Sequence, residues 1–566
     1  MRIQRLFFFW FLVWPLVLVA APKTDFDLVL ANGRVVDGSG APWFRADVGI
    51  RSDRIAALGD LSRSTAARRI DVGNRMVAPG FIDLLGQSEL YVLIDSRVES
   101  KIRQGITTEI TGEGRSVAPV NVAVLSQMKP FLSRFQLKID WTDLSGYAKR
   151  FQASRSTINL GTFVGSAQVR IVVLGLQDVQ PSAEQLAQME KLVETAMKQG
   201  ARGLSTALIY PPGSYAKTAE LVAMAKVAAR YGGVYASHIR GEADTEMDAI
   251  EEALTIGREA RIPVEIWHLK VAGRNNWGKM SSVLARLERA RAEGIDVAAN
   301  MYPYEAARNG LSANIPDWAH AGGQEAMVAR FKVPAQREKI KSELWNGGVG
   351  REVPEGILLA SSVSPNVKQY MGKRLSQVAV EMGKSPEDAL LDLLELAQAR
   401  IDVVRFVMSE DDVQLGLKQP WISLGIDDAG QALDGPFEGQ RGHPRGFGSA
   451  ARILGHYARD LHLFSVEEAV RKMTSQPAQR LGLYDRGLVR PGMAADITVF
   501  DPATVRDLAT YEEPLRYSEG IEYVVVNGKV VLDAGKTTQE RPGRFLKHPV
   551  EPLTSVASPI TSATHH

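Results

Sequence analysis

The most constraining feature of this chain is an alternation. Short apolar runs of β character recur along its middle, most of them separated by an amphipathic helical pattern. The runs are MVAPGFIDLL, ITTEITG, INLGTFVG, ARGLSTAL, GVYASHI, PVEIWHLKV, DVAANMYPY and WISLGIDD. Between them lie SAEQLAQMEKLVETAMKQG, EMDAIEEALTIGREA and MSSVLARLERARAEG, with apolar residues at helical spacing. Ser182 is placed to cap the first of these helices and Gly200 to end it. Alternating strand and helix implies a parallel sheet covered by helices. Eight such units over roughly 400 residues suit a closed (β/α)8 barrel of the TIM type. A doubly wound sheet is the competing architecture. Polar residues scattered at the C-terminal ends of these runs favour the barrel. The spacing predicts an insertion at about 305–420, before the last barrel strand, with strands of its own at ILLAS and VVRFVMS.

The two ends of the chain differ from its middle. LVLANGRVVDGSG and EYVVVNGKVVLDAG each surround an Asn-Gly pair, Asn32-Gly33 and Asn527-Gly528, which predicts hairpin turns. A small β-sandwich built from both termini follows, from residues 24–77 and 485–545, with the barrel at 78–484. The first 21 residues hold Arg2 and Arg5, then an uncharged run from Leu6 to Ala21. That is the layout of a secretory signal peptide, and the run is shorter than the ~20 residues of a spanning helix. Export to the periplasm or beyond is expected, with an uncleaved membrane anchor as the alternative. Residues 549–566 are rich in Ser, Thr and Pro and are expected to be disordered.

Bulk chemistry narrows the function. The 566 residues carry a net charge of +2 with the two signs interspersed, which gives no nucleic-acid footprint. No stable membrane insertion is expected. There is no cysteine, so thiolate ligands and a thiol nucleophile are excluded.

Barrel chemistry sits at strand C-termini. Read in order, those ends offer Asp83 and Gln87, Glu113, His238 and Arg240, His268 and Lys270, Tyr302, then Asp427 and Asp428. Histidines on adjacent strands, with carboxylates on others, can converge on one divalent ion. A metal lowers the pKa of its water to about 7. Asp427 on the far side could take that water's proton and return it to a leaving nitrogen. Asp428 is the alternative carboxylate, or a helix cap. His443 in GHPRG either lines the pocket or caps a helix. Tyr210 and Tyr215 in YPPGSY form either a substrate wall or merely a Pro-Gly turn.

The chain resembles the amidohydrolase superfamily, in its branch of N-acyl-D-amino-acid deacylases (D-aminoacylases). The matching segments include LVLANGRVVDGSG, APGFID, QGITTEITGEG, GLSTALIYPPGSYA, YASHIR, PVEIWHLKVAGRNNWGK, MYPY, SLGIDD, GHPRGFG and RGLVRPGMAADITVFDP. The resemblance implies the TIM-like barrel, the β-sandwich and metal-dependent cleavage of a linear amide. It carries the two metal-binding histidines onto His238 and His268, and the catalytic aspartate onto Asp427. It carries a carboxylate-binding lysine onto Lys270 and a substrate tyrosine onto Tyr302. A serine of the family falls on Arg308, itself a good carboxylate partner. The family's ligand cysteine falls on Gly114, leaving the neighbouring Glu113 to complete the metal site. Its strand-one H-x-H pair reads Leu85-Gly86-Gln87, so one Zn2+ per chain is expected.

The resulting expectation is an exported zinc hydrolase of N-acyl-D-amino acids. Glu113, His238 and His268 are its ligands and Asp427 its base. Lys270, Tyr302, Arg308, Arg240 and Gln87 are its substrate-binding candidates. The alternatives are the same barrel acting on another amide (a dipeptide, a cyclic imide or ureide, a xenobiotic) and a non-catalytic binding protein of amidohydrolase descent.

Overall fold

A computed structural model describes residues 24–346 and 353–549. The expected signal segment at 1–21, and the expected tail beyond Pro549, lie outside the described residues. No helix among the described residues is long and apolar enough to cross a membrane.

The eight apolar runs form eight parallel barrel strands. They are Phe81–Asp83, Ile106–Thr111, Asn159–Thr162 with its continuation Val164–Gly165, Gly203–Ala207, Val234–His238, Val264–Ile266, Val297–Met301 and Ile422–Leu424. The first three pair in parallel, and Val164–Gly165 leads the remaining five in a second parallel sheet. The circuit closes between the eighth strand and the first. Leu84 N donates to Leu424 O at 3.3 Å, and Asp427 N to Leu85 O at 2.6 Å. The barrel interior is filled by Ile82, Leu84, Leu85, Ile110, Phe163, Val234, Ala236 and Trp267. Phe163 and Trp267 meet edge to face at 5.4 Å. Helices cover the outside. The helix Ala183–Lys198 begins with a reciprocal capping box between Ser182 and Gln185, as its sequence implies, and Gly200 follows its end at φ +105°.

Both chain ends contribute to one nine-stranded sheet. Met76–Pro79 pairs antiparallel with Ile497–Phe500, joining the segment before the barrel to the segment after it. Leu28, Leu30, Val48, Ile70, Ile497 and Val525 pack together in its core. The Asn527-Gly528 turn forms as expected, between Ile521–Val526 and Lys529–Asp533. The Asn32-Gly33 turn does not. Both residues lie inside one continuous strand, Phe26–Val35, where the register shifts between Leu30 and Gly33. The pair makes a bulge there, with Asn32 at φ +60°. On one side of it the strand pairs with Ala66–Asp71, and on the other with Met76–Pro79.

The insertion lies between the seventh and eighth barrel strands. Its strands Ala307–Gly310, Ile357–Ser362 and Ile401–Arg405 form an antiparallel sheet. Leu311, Phe331, Leu359, Leu390 and Val403 give it a core of its own.

A buried ion cluster lies under the barrel mouth. Lys101 Nζ is 2.6 Å from Asp83 Oδ2, 3.8 Å from Glu109 Oε1 and 2.8 Å from the Asp428 carbonyl. All three ionisable side chains are fully buried. Asp83 Oδ1 also accepts from Leu85 N and Ile426 N. The cluster therefore ties strands one, two and eight together. Gly86 is required beside it, because a Cβ there would fall 1.9 Å from Glu109 Oε1. Replacing Lys101 with Met leaves Asp83 and Glu109 buried without their cation. Loss of one partner from such a cluster costs about 3–5 kcal/mol. Urea unfolding of Lys101→Met is expected to show a loss of that size, and a loss below about 1 kcal/mol would count against the cluster's role.

Candidate metal centre and active site

Three strand ends bring three donor atoms together. Glu113 follows strand two through Gly112, at φ +98°. Gly114 follows it at φ +61° and packs against Ala207, whose backbone nitrogen would lie 2.7 Å from an added Cβ. Only glycine lets the loop turn this closely and aim Glu113 inward. His238 is the last residue of strand five. His268 lies just past strand six at φ +36°, a backbone region rare for a residue with a Cβ and one that clusters at functional sites.

His238 Nδ1 is 2.7 Å from Glu113 Oε1, His268 Nε2 is 3.1 Å from it, and the two nitrogens are 2.9 Å apart. The imidazole rings stand at 87° to each other. Among the described residues, this is the one group of three or more His, Asp or Glu donors close enough to share an ion. Four ligands at about 2.0–2.2 Å from zinc leave about 3.3–3.5 Å between neighbouring donors. The observed triangle is that shape, drawn slightly in. Two imidazoles and one carboxylate also form a donor set that suits zinc.

Behind the histidines lies Glu242, which the sequence reading overlooked. Its Oε1 is 3.3 Å from His238 Nε2 and 3.3 Å from His268 Nδ1, and it accepts from Lys270 Nζ at 2.5 Å. A ligand histidine must hold its proton on the nitrogen facing away from the ion. Glu242 Oε1 is the carboxylate oxygen beside both outward-facing nitrogens, although His238 Nε2 makes no hydrogen bond among the described residues. Lys270 Nζ also lies 2.7 Å from His268 Nδ1, and that contact suits the other tautomer. Only the form with Nδ1–H directed at Glu242 frees Nε2 as a ligand. Burial alone would raise the Glu242 carboxyl, but Lys270 and the two imidazoles outweigh it and hold it at about 2. Burial, with Lys270 next to the ring, pushes the His268 pKa down and favours the neutral ring a ligand needs.

Asp427 faces this triangle from strand eight, at φ +55°. Its Oδ2 is 2.8 Å from Arg445 Nη1, and its Oδ1 lies 3.3 Å from Gln87 Nε2. Burial raises its pKa, the Arg445 guanidinium opposes that, and the Glu113 carboxylate adds to it, leaving it above its ordinary value. Arg445 lies over the Tyr302 ring at 4.6 Å. His443 fixes Arg445 from behind: its Nδ1 accepts from Arg445 N, and its Nε2 faces the Ala306 carbonyl at 2.9 Å. His443 is therefore a buried capping residue and does not line the cavity.

The cavity over the triangle has a volume of about 330 Å³. Gln87, Lys270, Tyr302 and Arg308 line it, together with Tyr210 and Arg445. The Tyr210 ring meets the His238 ring edge at 5.1 Å. Tyr215 points elsewhere, its hydroxyl on the Asp317 carbonyl. Arg308 comes from the insertion and bridges Asp402 to Asp428, so it staples the insertion to the strand-eight loop. Arg240 corrects one expectation. It is held by Glu252 and by the carbonyls of Ser214 and Ala216, and it does not line the cavity. Arg240 lies two residues past the end of strand five, where the chain has left the strand and Glu252, on the helix Glu246–Ala260, takes its guanidinium. Arg445 was the more consequential omission. GHPRG drew attention only through its histidine, and nothing local placed its arginine against Asp427.

A closed barrel with a strand-end donor triangle facing a buried aspartate defines a class, the metal-dependent hydrolase barrels. The amidohydrolase family profile matches residues 68–532 of the chain. The chain is 36% identical over 529 residues to the D-aminoacylase of Alcaligenes xylosoxydans xylosoxydans, covering 92% of this chain and 97% of that one. A crystal structure of N-acyl-D-glutamate deacylase from Bordetella bronchiseptica is similar with a TM-score of 0.78 and 32% identity, covering 92% and 99% of the two chains. That enzyme was captured with zinc and a phosphonate inhibitor that mimics the tetrahedral intermediate. A D-aminoacylase structure with a binuclear metal centre, described by one-metal activation and second-metal attenuation, matches at TM-score 0.78 and 35% identity, covering 92% and 100%. The chain belongs to the amidohydrolase family.

Partners behind metal-bound histidines typically contribute 10–100-fold to affinity. Glu242→Ala is therefore expected to weaken zinc binding by about that factor in calorimetric titration. His238→Ala is expected to abolish it.

Proposed function

We propose that this chain is a zinc-dependent hydrolase that removes the acyl group from N-acyl-D-amino acids. One observation carries the reading. The Glu113, His238 and His268 donors face Asp427 across a single cavity whose wall also holds Arg445, Lys270 and Tyr302. The substrate class and its D configuration are our reading, supported by the similarity to the relatives named above.

Glu113 Oε1, His238 Nδ1 and His268 Nε2 would hold the ion, which supplies Lewis acidity to the amide carbonyl and acidity to water. The rest belongs to the chain. Asp427 stands across the cavity with Oδ2 held by Arg445. Its Oδ1 is the oxygen placed to take a proton from the attacking water and to return it to the leaving nitrogen. Water oxygen bonds to the carbonyl carbon, the C–N bond breaks, and a carboxylate and a free amine result. The pKa of Asp427, raised by burial, brings it nearer the working range of a proton shuttle. Tyr302 Oη makes no hydrogen bond among the described residues and retains a donor for substrate. With Arg445 stacked on its ring, it offers a carboxylate a charged and a neutral donor side by side. Tyr210 closes the wall beside His238.

Residues 1 to about 21 have the layout of an export signal, and we place the enzyme outside the cytoplasm on that basis. Fractionation of the producing cell tests this: recovery in the cytoplasmic fraction alone would refute it.

Chelation is expected to remove activity toward N-acetyl-D-amino acids, and zinc to restore it. Activity confined to L-substrates, or persisting in the metal-free chain, would overturn the proposal. Loss of a general acid/base lowers turnover by about 10²–10⁴-fold. Asp427→Asn is expected to lower kcat within that range while zinc content stays unchanged.

A further inference from the structure

We propose that a second cavity, beyond Tyr210, is a subsite for an acyl chain that ends in a carboxylate, and that Arg115 binds that carboxylate. The inference rests on the deacylase reading above for the direction in which the substrate lies, and it names the class of acyl group.

The second cavity has a volume of about 180 Å³. Tyr210 and Gly310 line both cavities, so the two meet along these residues. Its walls come from the loops after strands two and four and from the start of the insertion. Direction decides what enters it. Asp427 follows strand eight, Tyr302 strand seven and Lys270 strand six. The leaving nitrogen meets Asp427, and the amino-acid carboxylate meets Tyr302 and its neighbours, so the amino-acid half lies on that side. In a ring of eight, strands two to four lie across from strands six to eight. The acyl half of the amide therefore points over Glu113 and His238 toward Tyr210, and its chain runs into the second cavity. Leu176, Ile209, Pro211 and Ile315 give that cavity apolar walls suited to methylenes. The volume is that of roughly six waters, which suits a short chain.

Charge decides what the chain carries at its end. Arg115 is the one arginine or lysine lining the second cavity. Other arginines around the barrel mouth are paired: Arg445 with Asp427, Arg308 with Asp402 and Asp428, Arg240 with Glu252. The Arg115 guanidinium has no ion pair and no hydrogen bond among the described residues. Glu113, two residues before it, turns its oxygens to His238, His268 and Gln87. The one carboxylate lining the second cavity is Asp317. It acts electrostatically on Tyr215, Arg240 and His320, and not on Arg115. His320 Nε2 faces the Ile315 carbonyl at 3.2 Å. A free guanidinium beside apolar walls matches a carboxylate carried on methylenes, because its forked N–H donors fit both carboxylate oxygens. Acyl groups of that form come from short dicarboxylic acids, succinyl and glutaryl among them. Water oxygen then bonds to the acyl carbon, the C–N bond breaks, and a dicarboxylate leaves alongside the free amine.

The test is binding of the acyl product. The full-length chain, dialysed against zinc, is titrated by calorimetry with succinate, glutarate and adipate, each against the monocarboxylate of equal length: butyrate, valerate and hexanoate. A charge-assisted bond of this kind is expected to favour at least one dicarboxylate by about 10–100-fold. Arg115→Met is expected to erase that preference and Arg115→Lys to keep part of it, with circular dichroism showing that both variants are folded. Kinetics should follow binding. The ratio of kcat/KM for the matching N-acyl-D-amino acid to that for its N-acetyl counterpart is expected to fall by about the same factor in Arg115→Met. Dicarboxylates that bind no better than monocarboxylates would overturn the inference. So would a preference that survives in folded Arg115→Met. A preference lost in Arg115→Met, with no N-acyl-D-amino acid cleaved by wild type, would leave the carboxylate subsite standing and remove the deacylase reading.

Discussion

The closure of the barrel beneath Glu113 and Asp427 depends on one buried ammonium. Lys101 sits between strands one and two and the loop after strand eight, holding Asp83, Glu109 and the Asp428 carbonyl. A lysine is buried this completely only where opposite charge compensates its lost hydration. Its partners come from the first, second and last barrel strands, so it works at the seam where the barrel closes. Glu113 leaves the second of those strands and Asp427 the eighth. A seam left loose there would let Glu113 and Asp427 drift apart, which no local feature of either loop could correct.

Above that seam, charge is paired almost throughout. Glu242 takes Lys270, Asp427 takes Arg445, and Arg308 takes both Asp402 and Asp428. Pairing lets so many ionisable groups line one cavity without the desolvation cost of isolated charges. It also fixes their geometry in advance, and a preorganised charge array stabilises developing charge better than a mobile one. The insertion takes part directly, because Arg308 joins it to the barrel at the cavity rim. The fold has thus made a separate small core responsible for one wall of the site.

The sequence was legible where chemistry is local. All eight barrel strands could be read from apolar runs, six of which lead into polar residues. Glu113, His238 and His268 stood out because each is a metal-binding side chain at such an end, and the structure brings these three together. Local signals failed where the outcome depended on distant partners. Asn32-Gly33 has hairpin composition, yet the strand continues through it because two different neighbours pair with its two halves. Arg240 has cavity-residue chemistry, but Glu252 holds it away. Glu242 lies in a loop and Arg445 opens the helix Arg445–Arg452, and the roles of both arise only from what crosses the barrel to meet them.

The stretch APGFIDLLGQSEL shows the division most clearly. By itself it established a barrel strand that runs into polar residues. Tertiary structure decided what the residues after that strand do. Leu85 faces the barrel core, Gly86 makes room for Glu109, and Gln87 reaches Glu113 and Asp427. Composition and periodicity determine which segments become strands, because burial of alternating or continuous apolar faces is a local property of the chain. Which side chains meet at strand ends depends on register and closure, and those are set by contacts between residues as far apart as Asp83 and Ile426.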